Sequence, residues 1–151
     1  MLIYIGADHR GFTLKEPLRS FLEGEGYSVV DVGAKALMQD DDYVDYAKLV
    51  AEKVSGDPQG NKGVLVCGSG VGMDIAANKF FQVRSVLAMS PDHALVSRND
   101  DDTNVISLPA DFIDFDMSKK IVSVWLQTPF SGADKNKRRL EKIREIDNTI
   151  N

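Results

Sequence analysis

The sequence is short of several features that would mark a specialised class of protein. It contains a single cysteine, so no disulfide can form within the chain. Its apolar runs reach about five residues, far below the roughly 20 needed to cross a bilayer. The first residues also lack the basic and apolar regions of a signal peptide. We therefore expect a cytoplasmic protein that makes no membrane contact.

Long basic runs are absent too, and the formal net charge is -5 at pH 7. An acidic chain of this kind is poorly suited to nucleic acid, so we expect no such partner. The glycine motifs G-x-G-x-x-G and G-x-x-x-x-G-K-[ST] are missing as well. Dehydrogenase and kinase chemistry therefore fit the sequence less well than other classes of reaction.

What the sequence has is an alternation of short β-branched apolar runs with helical patterns. Strands are predicted at residues 2–5, 28–32, 64–66, 83–89 and 104–108. Clear helical patterns cover residues 13–23, 116–128 and about 136–150. This order predicts an α/β protein with a five-stranded parallel sheet, in one domain that spans residues 1–151.

The cysteine lies in the most informative stretch, GVLVCGSGVGMDIAANKF at residues 63–80. An apolar strand ends at Cys67, a glycine-rich turn follows, and a helix begins at about Met73. Unpaired N–H groups at a helix start bind anions and lower the pKa of a neighbouring thiol. Cys67 is therefore a candidate base or nucleophile. The alternative is a buried structural cysteine in front of a glycine-rich turn.

Two further groups of polar residues accompany predicted strands. Asp8, His9 and Arg10 follow the first strand directly, and residues 98–102 follow the fourth strand and its helix. Open parallel sheets bind ligands at the carboxyl ends of their strands. We therefore expect both groups to converge with the Cys67 turn.

Charged segments complete the candidate site. The basic cluster at residues 135–139 is the one concentration of positive charge and suits a phosphate. A base, an acid, oxyanion donors and a phosphate clamp are the parts needed for proton abstraction beside the carbonyl of a phosphorylated sugar. Four acidic residues among positions 40–45 precede the second helix, and we interpret them as a cap and as charge that complements the helix dipole.

Several segments resemble the family of ribose-5-phosphate isomerase B and galactose-6-phosphate isomerase, in order and almost without gaps. They are GADHRGFTLKEPL, VVDVG, DYVDYA, the stretch around Cys67, VRSVL, SRNDDDTNVISL and KRRLEKI. The resemblance implies a three-layer α/β/α Rossmann-like fold and an enzyme that interconverts aldose and ketose phosphates through a cis-enediolate. It implies no metal and no other cofactor.

The resemblance also implies self-association. Such enzymes are homodimers or tetramers with the active site at the subunit interface, so we expect the terminal helix, about residues 136–150, to pack on a neighbouring subunit. The best candidate substrates are ribose 5-phosphate and ribulose 5-phosphate.

Within the turn, the resemblance assigns chemical roles. Cys67 matches the base that moves a proton between C2 and C1 of the opened sugar, and Ser69 matches a hydroxyl beside it. The base is usable at neutral pH only if the turn stabilises the thiolate by a pKa unit or two, about 1.4 kcal/mol per unit. The family binds the enediolate oxygen in an anion hole of backbone N–H groups. The matching N–H groups here are those of Gly68, Gly70, Val71 and Gly72.

Other matched residues surround the sugar and its phosphate. Asp8 and His9 match residues that contact them, and Tyr43 matches an aromatic hydroxyl at the sugar. We expect Arg10, beside them in the sequence, to join the phosphate clamp.

The chain departs from the family pattern at positions for ring opening and phosphate binding. Asp100 replaces the histidine that opens the furanose ring, and Asp101 replaces the following asparagine. Asp100 can act as ring opener only with a raised pKa. Asp111 stands in place of an arginine assigned to phosphate. Arg139 matches a second such arginine, whereas Lys135 replaces another without its bidentate fork.

Two hypotheses follow. In the first, the protein is an isomerase whose clamp has moved to Arg10 and residues 135–139, and it acts on ribose 5-phosphate or on another sugar phosphate, such as allose 6-phosphate or a tetrulose phosphate. In the second, it is a catalytically impaired relative that binds a sugar phosphate or a partner. The complete Cys67 turn favours the first.

Overall fold

The computed structural model describes residues 1–150, except for the side chain at position 150. Residue 151, the end of the predicted domain, lies outside them. The strands are β1 Leu2–Ala7, β2 Ser28–Asp31, β3 Asn61–Cys67, β4 Ser85–Leu87 and β5 Val105–Pro109. The helices are α1 Phe12–Gly24, α2 Tyr43–Gly56, α3 Val71–Ala77, α4 Pro91–Asp101, α5 Phe115–Gln127 and α6 Asp134–Ile150.

All five strands are parallel, in the order β2-β1-β3-β5-β4. This confirms the predicted sheet. In the register, Ala7 pairs with Val66 and Cys67 pairs with Pro109. The chain therefore leaves β1, β3 and β5 side by side at the carboxyl edge of the sheet, which is where parallel sheets place their ligand sites.

Helices cover both faces of the sheet. Alternate side chains of a strand point to opposite faces, and in β3 Val64 and Val66 pack with α1 and α5 while Leu65 and Cys67 pack with α2 and α3. Burial on both faces explains why the strands are continuous apolar runs. The result is the expected three-layer arrangement, with the Cys67 side chain directed into the α2 and α3 layer.

Some elements differ from the sequence predictions. Strand β4 has three residues, Ser85–Leu87, instead of the predicted seven at 83–89. The backbone N–H of Val83 donates to Phe80 in a turn, so Val83 cannot extend the strand. Helix α6 lies against α4, but its apolar residues Ile143 and Ile146 are 40% and 57% exposed.

Within residues 1–150, no helix is both long enough and apolar enough to cross a membrane.

Candidate active site

The turn between β3 and α3 directs a backbone donor at the thiol. Gly70 has φ +74°, a left-handed conformation that favours glycine. A Cβ at this position would lie 2.4 Å from Cδ1 of Leu87. In this conformation the N–H of Gly70 donates to Sγ of Cys67 across 3.2 Å. The hydroxyl of Ser69, an exposed residue, accepts from the N–H of Val71 at the mouth of the turn.

The thiol of Cys67 is 5% exposed, and burial is the main influence on its ionisation. Burial raises the pKa of Cys67, the N–H of Gly70 lowers it, and the negative charge of Asp8 raises it again. The net effect is a raised pKa. The expectation of a lowered pKa is therefore wrong for the single chain, because the backbone hydrogen bonds do not offset the lost hydration.

Asp8 stands next to Cys67 because of the sheet register. Ala7 and Val66 are paired, so the residues that follow them leave adjacent strands together. Asp8 is buried, and its Oδ1 accepts from the N–H groups of Arg10 and Gly11 at 3.1 and 3.0 Å. The carboxylate thereby fixes the loop that presents His9.

His9 pairs with a residue that the sequence did not single out, Asp41. Its Nδ1 lies 2.6 Å from Oδ1 of Asp41, and its backbone N–H donates to the same oxygen across 3.1 Å. Burial raises the pKa of Asp41, but the hydrogen bonds from His9 and Tyr46 outweigh it and lower the pKa overall. Asp41 is therefore an ionised partner that orients the imidazole.

The interpretation of residues 40–45 as a helix cap is only partly right. Asp42 occupies the N-cap position of α2, but its side chain makes no capping hydrogen bond, whereas Asp45 does lie in the first turn. Asp41 turns back to His9 instead. The only signal in the sequence was an acidic cluster in a loop that starts from the same edge of the sheet as His9.

Arg10 is not a free cation. Its guanidinium forms an ion pair with Asp111, which follows β5, and the two side chains are 56% and 39% exposed. A Cβ on Gly68 would lie 2.5 Å from Nε of Arg10 and 2.9 Å from Oδ2 of Asp111. The pair therefore covers the backbone of the Cys67 turn, and Asp111 balances the charge predicted to bind phosphate.

Tyr43 also reaches the turn, as the matched role requires. It is the first residue of α2, and a Cβ on Gly72 would lie 2.5 Å from Cζ of its ring. Asp8, His9, Tyr43 and the Cys67 turn thus form one group at the carboxyl edge, which we call the Cys67 group.

Asp100 and Asp101 lie at the other edge of the sheet. Helix α4 ends at Asp101 and leads into the start of β5 at Val105. Strands rise about 3.3 Å per residue, so roughly 13 Å of β5 separates Val105 from Pro109, the partner of Cys67. The expected convergence of three polar groups is therefore wrong within one chain.

The surroundings of Asp100 join it to α6. Its Oδ1 accepts from Nδ2 of Asn99 at 2.7 Å and from Nδ2 of Asn136, a buried residue, at 3.2 Å. Lys135 and Arg139 lie on the same helix as Asn136 and are exposed. The members of this second set, which we call the α6 group, are Asp100, Asp101, Lys135 and Arg139.

One set of described residues has ligand spacing for a metal ion. Asp8, His9 and Asp41 offer ligand atoms that lie within 4.8 Å of one another. Nδ1 of His9 and Oδ1 of Asp41, however, are in short contact with each other. The geometry fits an acid–base pair better than a metal centre.

Comparisons with known proteins agree with the geometry. Ribose-5-phosphate isomerase B of Escherichia coli is 37% identical over 149 residues, which are 99% of this chain and 98% of the relative. A probable ribose-5-phosphate isomerase B of Mycoplasma genitalium is 38% identical over 141 residues, or 93% and 92% of the two chains.

Solved structures show the same fold. The crystal structure of ribose-5-phosphate isomerase B from Mycoplasma genitalium with bound ribulose 5-phosphate superposes with a TM-score of 0.95 at 37% identity, covering 97% of this chain and 96% of the other. The enzyme from Clostridium thermocellum gives 0.94 at 34% identity over the whole of both chains. A family model described as Ribose/Galactose Isomerase matches residues 3–143. The chain therefore belongs to the ribose/galactose isomerase family, which confirms the resemblance found in its sequence.

Proposed function

We propose that this protein interconverts ribose 5-phosphate and ribulose 5-phosphate, with Cys67 moving a proton between C2 and C1 through a cis-enediolate. The observation that carries the proposal is the contact between Sγ of Cys67 and the N–H of Gly70, in a turn open to solvent at Ser69. A relative with the same fold binds ribulose 5-phosphate. Backbone donors around the thiol are suited to the negative oxygen of an enediolate.

A raised pKa sets a condition on this chemistry. The thiol of Cys67 must lose its proton before it can act as a base, and the single chain disfavours the thiolate. A positive charge brought close to the turn would lower the pKa of Cys67. Lys135 and Arg139 are exposed cations that have no place near the turn of their own chain.

We also propose that the complete site is shared between two copies of the chain, each a single isomerase domain. The Cys67 group of one copy would meet the α6 group of the other, because the two groups lie at opposite edges of the same sheet. The exposed Ile143 and Ile146 of α6 give the second copy an apolar surface on which to pack. A homodimer is the smallest assembly that completes both sites.

A catalytically impaired relative remains the second candidate. The observation in its favour is the ion pair of Arg10 with Asp111 over Gly68, which places a carboxylate beside the turn that would hold the substrate anion. Such a protein would bind a sugar phosphate without turning it over.

Turnover separates the two candidates. Wild-type protein should convert ribose 5-phosphate to ribulose 5-phosphate, which NMR can measure. Cys67→Ala should lower kcat by at least about 100-fold, since a positioned base contributes this much or more. The thermal unfolding temperature of the variant controls for loss of fold. Equal, negligible rates for both proteins on ribose 5-phosphate, allose 6-phosphate and erythrulose 4-phosphate would support the impaired relative.

A further inference from the structure

Ribose 5-phosphate in solution is mostly a closed furanose, and a Cys67 base can act only on the open aldehyde. Opening the ring requires that a proton leave the hydroxyl on C1 and that a proton reach the ring oxygen O4. An enzyme that takes up the furanose therefore needs a second acid–base group. This inference rests on the proposed function.

The contact between His9 and Asp41 has the geometry of such a group. Asp41 is 7% exposed and approaches Nδ1 of His9 to 2.6 Å, whereas His9 is 31% exposed. The backbone N–H of His9 also donates a hydrogen bond to the same carboxylate oxygen. One edge of the imidazole is therefore fixed by a buried carboxylate, and the Nε2 edge is left to face a ligand.

The pair also lies close enough to Cys67 to act on the same sugar. Asp8 follows the residue paired with Val66 and so stands beside Cys67. The ligand atoms of Asp8, His9 and Asp41 lie within 4.8 Å of one another. A sugar in contact with the thiol is thus within reach of the imidazole.

We propose that His9, oriented by Asp41, opens the furanose ring. With the Nδ1 proton directed to Asp41, Nε2 accepts the proton from the C1 hydroxyl. The O1–H electron pair forms the C1=O1 double bond, and the C1–O4 bond breaks with its electron pair moving to O4. The imidazolium then delivers the Nε2 proton to O4. The open aldehyde forms, His9 returns to its neutral state, and the Asp41 carboxylate balances the transient positive charge.

Asp100, the other candidate for this step, is placed less favourably. Its carboxylate already accepts hydrogen bonds from two amides, those of Asn99 and Asn136. In a shared site Asp100 would come from the second copy with the rest of the α6 group, and its carboxylate would still be held by these two amides. In this account Asp100 holds the start of α6, and His9 is the catalytic residue for ring opening, with Asp41 as its positioning residue.

Hydrogen exchange separates ring opening from proton abstraction. Ribulose 5-phosphate cannot close to a furanose, because its C5 oxygen carries the phosphate. Incorporation of deuterium from D2O at its C1 position, followed by NMR, therefore reports on Cys67 alone. Net conversion of ribose 5-phosphate reports on ring opening as well.

The inference predicts a split between these two rates. His9→Gln should lower the conversion of ribose 5-phosphate by about 100-fold, the scale of general acid–base catalysis, while deuterium exchange changes by less than about threefold. Asp41→Asn, which keeps an acceptor for the N–H of His9, should show the same split with a smaller loss of conversion. Asp40→Asn, the same charge change at an exposed neighbour, is the matched control and should leave both rates unchanged.

Other outcomes overturn the inference. Equal losses of conversion and exchange in His9→Gln would make His9 only a contact for the substrate, and unchanged conversion would exclude it as the ring opener. Wild-type protein that shows neither conversion nor exchange would instead overturn the proposed function itself, and the inference with it.

Discussion

Cys67 carries opposing influences on its ionisation. Burial raises the pKa of its thiol, the Gly70 N–H lowers it, and Asp8 raises it. A side chain kept mostly as the thiol in the free protein is protected from adventitious oxidation, since the thiolate is the reactive form. We expect Cys67 to become an active base when the cations of a second copy complete its surroundings.

The raised pKa of Cys67 predicts how alkylation depends on pH. Below the pKa, the thiolate fraction grows about tenfold per pH unit, so inactivation by iodoacetamide should accelerate by about 30-fold between pH 7 and 8.5. Asp8→Asn should lower the pKa and speed alkylation at pH 7, because it removes a neighbouring negative charge.

Mass spectrometry of the labelled protein gives the rates, and since Cys67 is the only cysteine each adduct reports on this site. Ribose 5-phosphate should protect the thiol. A rate that does not change with pH, or a native thiol that never alkylates, would contradict the account of Cys67.

At the scale of elements, the conformation of the β3–α3 turn depends on one glycine. Gly70→Ala places a side chain at φ +74° and a Cβ 2.4 Å from Leu87. We expect this variant to lose about 2 kcal/mol or more of unfolding free energy, at least the usual penalty for a left-handed residue, and to lose isomerase activity. Urea denaturation measures the first effect.

Gly24→Ala is the matched control for Gly70→Ala. Gly24 is the last residue of α1, and a Cβ there has no neighbour within 4 Å. Alanine should leave stability unchanged or raise it by up to about 1 kcal/mol. If both variants lose the same stability, the account of the Cys67 turn is wrong.

A buried ion pair joins α1 to the end of β2. Lys15 is fully buried, and its Nζ donates to Oδ2 of Asp31 at 2.7 Å and to the carbonyl of Ala34 at 2.8 Å. Burial raises the pKa of Asp31, but the hydrogen bonds from Lys15 and Gly33 outweigh it, so the pKa is lowered overall. The pair anchors the start of the loop that carries Asp41.

The lowered pKa of Asp31 fixes the sign of a pH effect. A carboxyl group whose pKa falls on folding adds stability above its unfolded pKa of about 3.9, and that stability is lost as pH decreases through the folded value. Asp31→Asn should therefore remove part of the acid sensitivity below pH 4. At pH 7 it should cost about 3 kcal/mol, because the buried Lys15 then keeps only the carbonyl of Ala34 and the more exposed carboxylate of Glu16, 3.1 Å away, as partners.

Urea denaturation at pH 7 and pH 3.5 measures both effects of Asp31→Asn. Lys35→Ala removes a second cation near Asp31, 3.4 Å away and 71% exposed. It should cost no more than about 1 kcal/mol, as for other exposed pairs. If both variants lose the same unfolding free energy, the buried pair of Lys15 with Asp31 contributes no more stability than an exposed pair.

The elements also show how far the sequence can predict this protein. The sheet was predictable because buried parallel strands are continuous apolar runs. Lys15 was missed because a lysine beside the apolar face of α1 is normally exposed. The pairs of His9 with Asp41 and of Arg10 with Asp111 join residues 32 and 101 positions apart. Neither local propensity nor periodicity carries information on contacts of that range.

For the whole molecule, the arrangement of charge is the central point. The chain places its candidate base at the carboxyl edge of the sheet and two exposed cations, Lys135 and Arg139, at the start of α6 near the amino edge. A phosphorylated sugar needs both. We therefore expect activity to depend on association of two copies.

Association should depend on the apolar face of α6. Ile146→Asp places a charge on a residue that is 57% exposed in the single chain, so the fold should survive while the dimer weakens. Sedimentation velocity should show a shift towards monomer, with activity lost in proportion. Ile146→Val, which keeps the surface apolar, should remain a dimer. A fully active monomer would contradict a shared site.

The most direct measurement of a shared site is complementation between two inactive variants. Cys67→Ala lacks the base and Arg139→Ala lacks a clamp cation, so each protein alone should be inactive. If the proteins are unfolded together and refolded as a mixture, half of the dimers should contain one copy of each, with one intact site of two. The mixture should then recover about a quarter of wild-type activity. Native mass spectrometry shows whether the mixed dimer has formed. If it has formed and the mixture is still as inactive as its components, Cys67 and Arg139 do not belong to the two halves of one site.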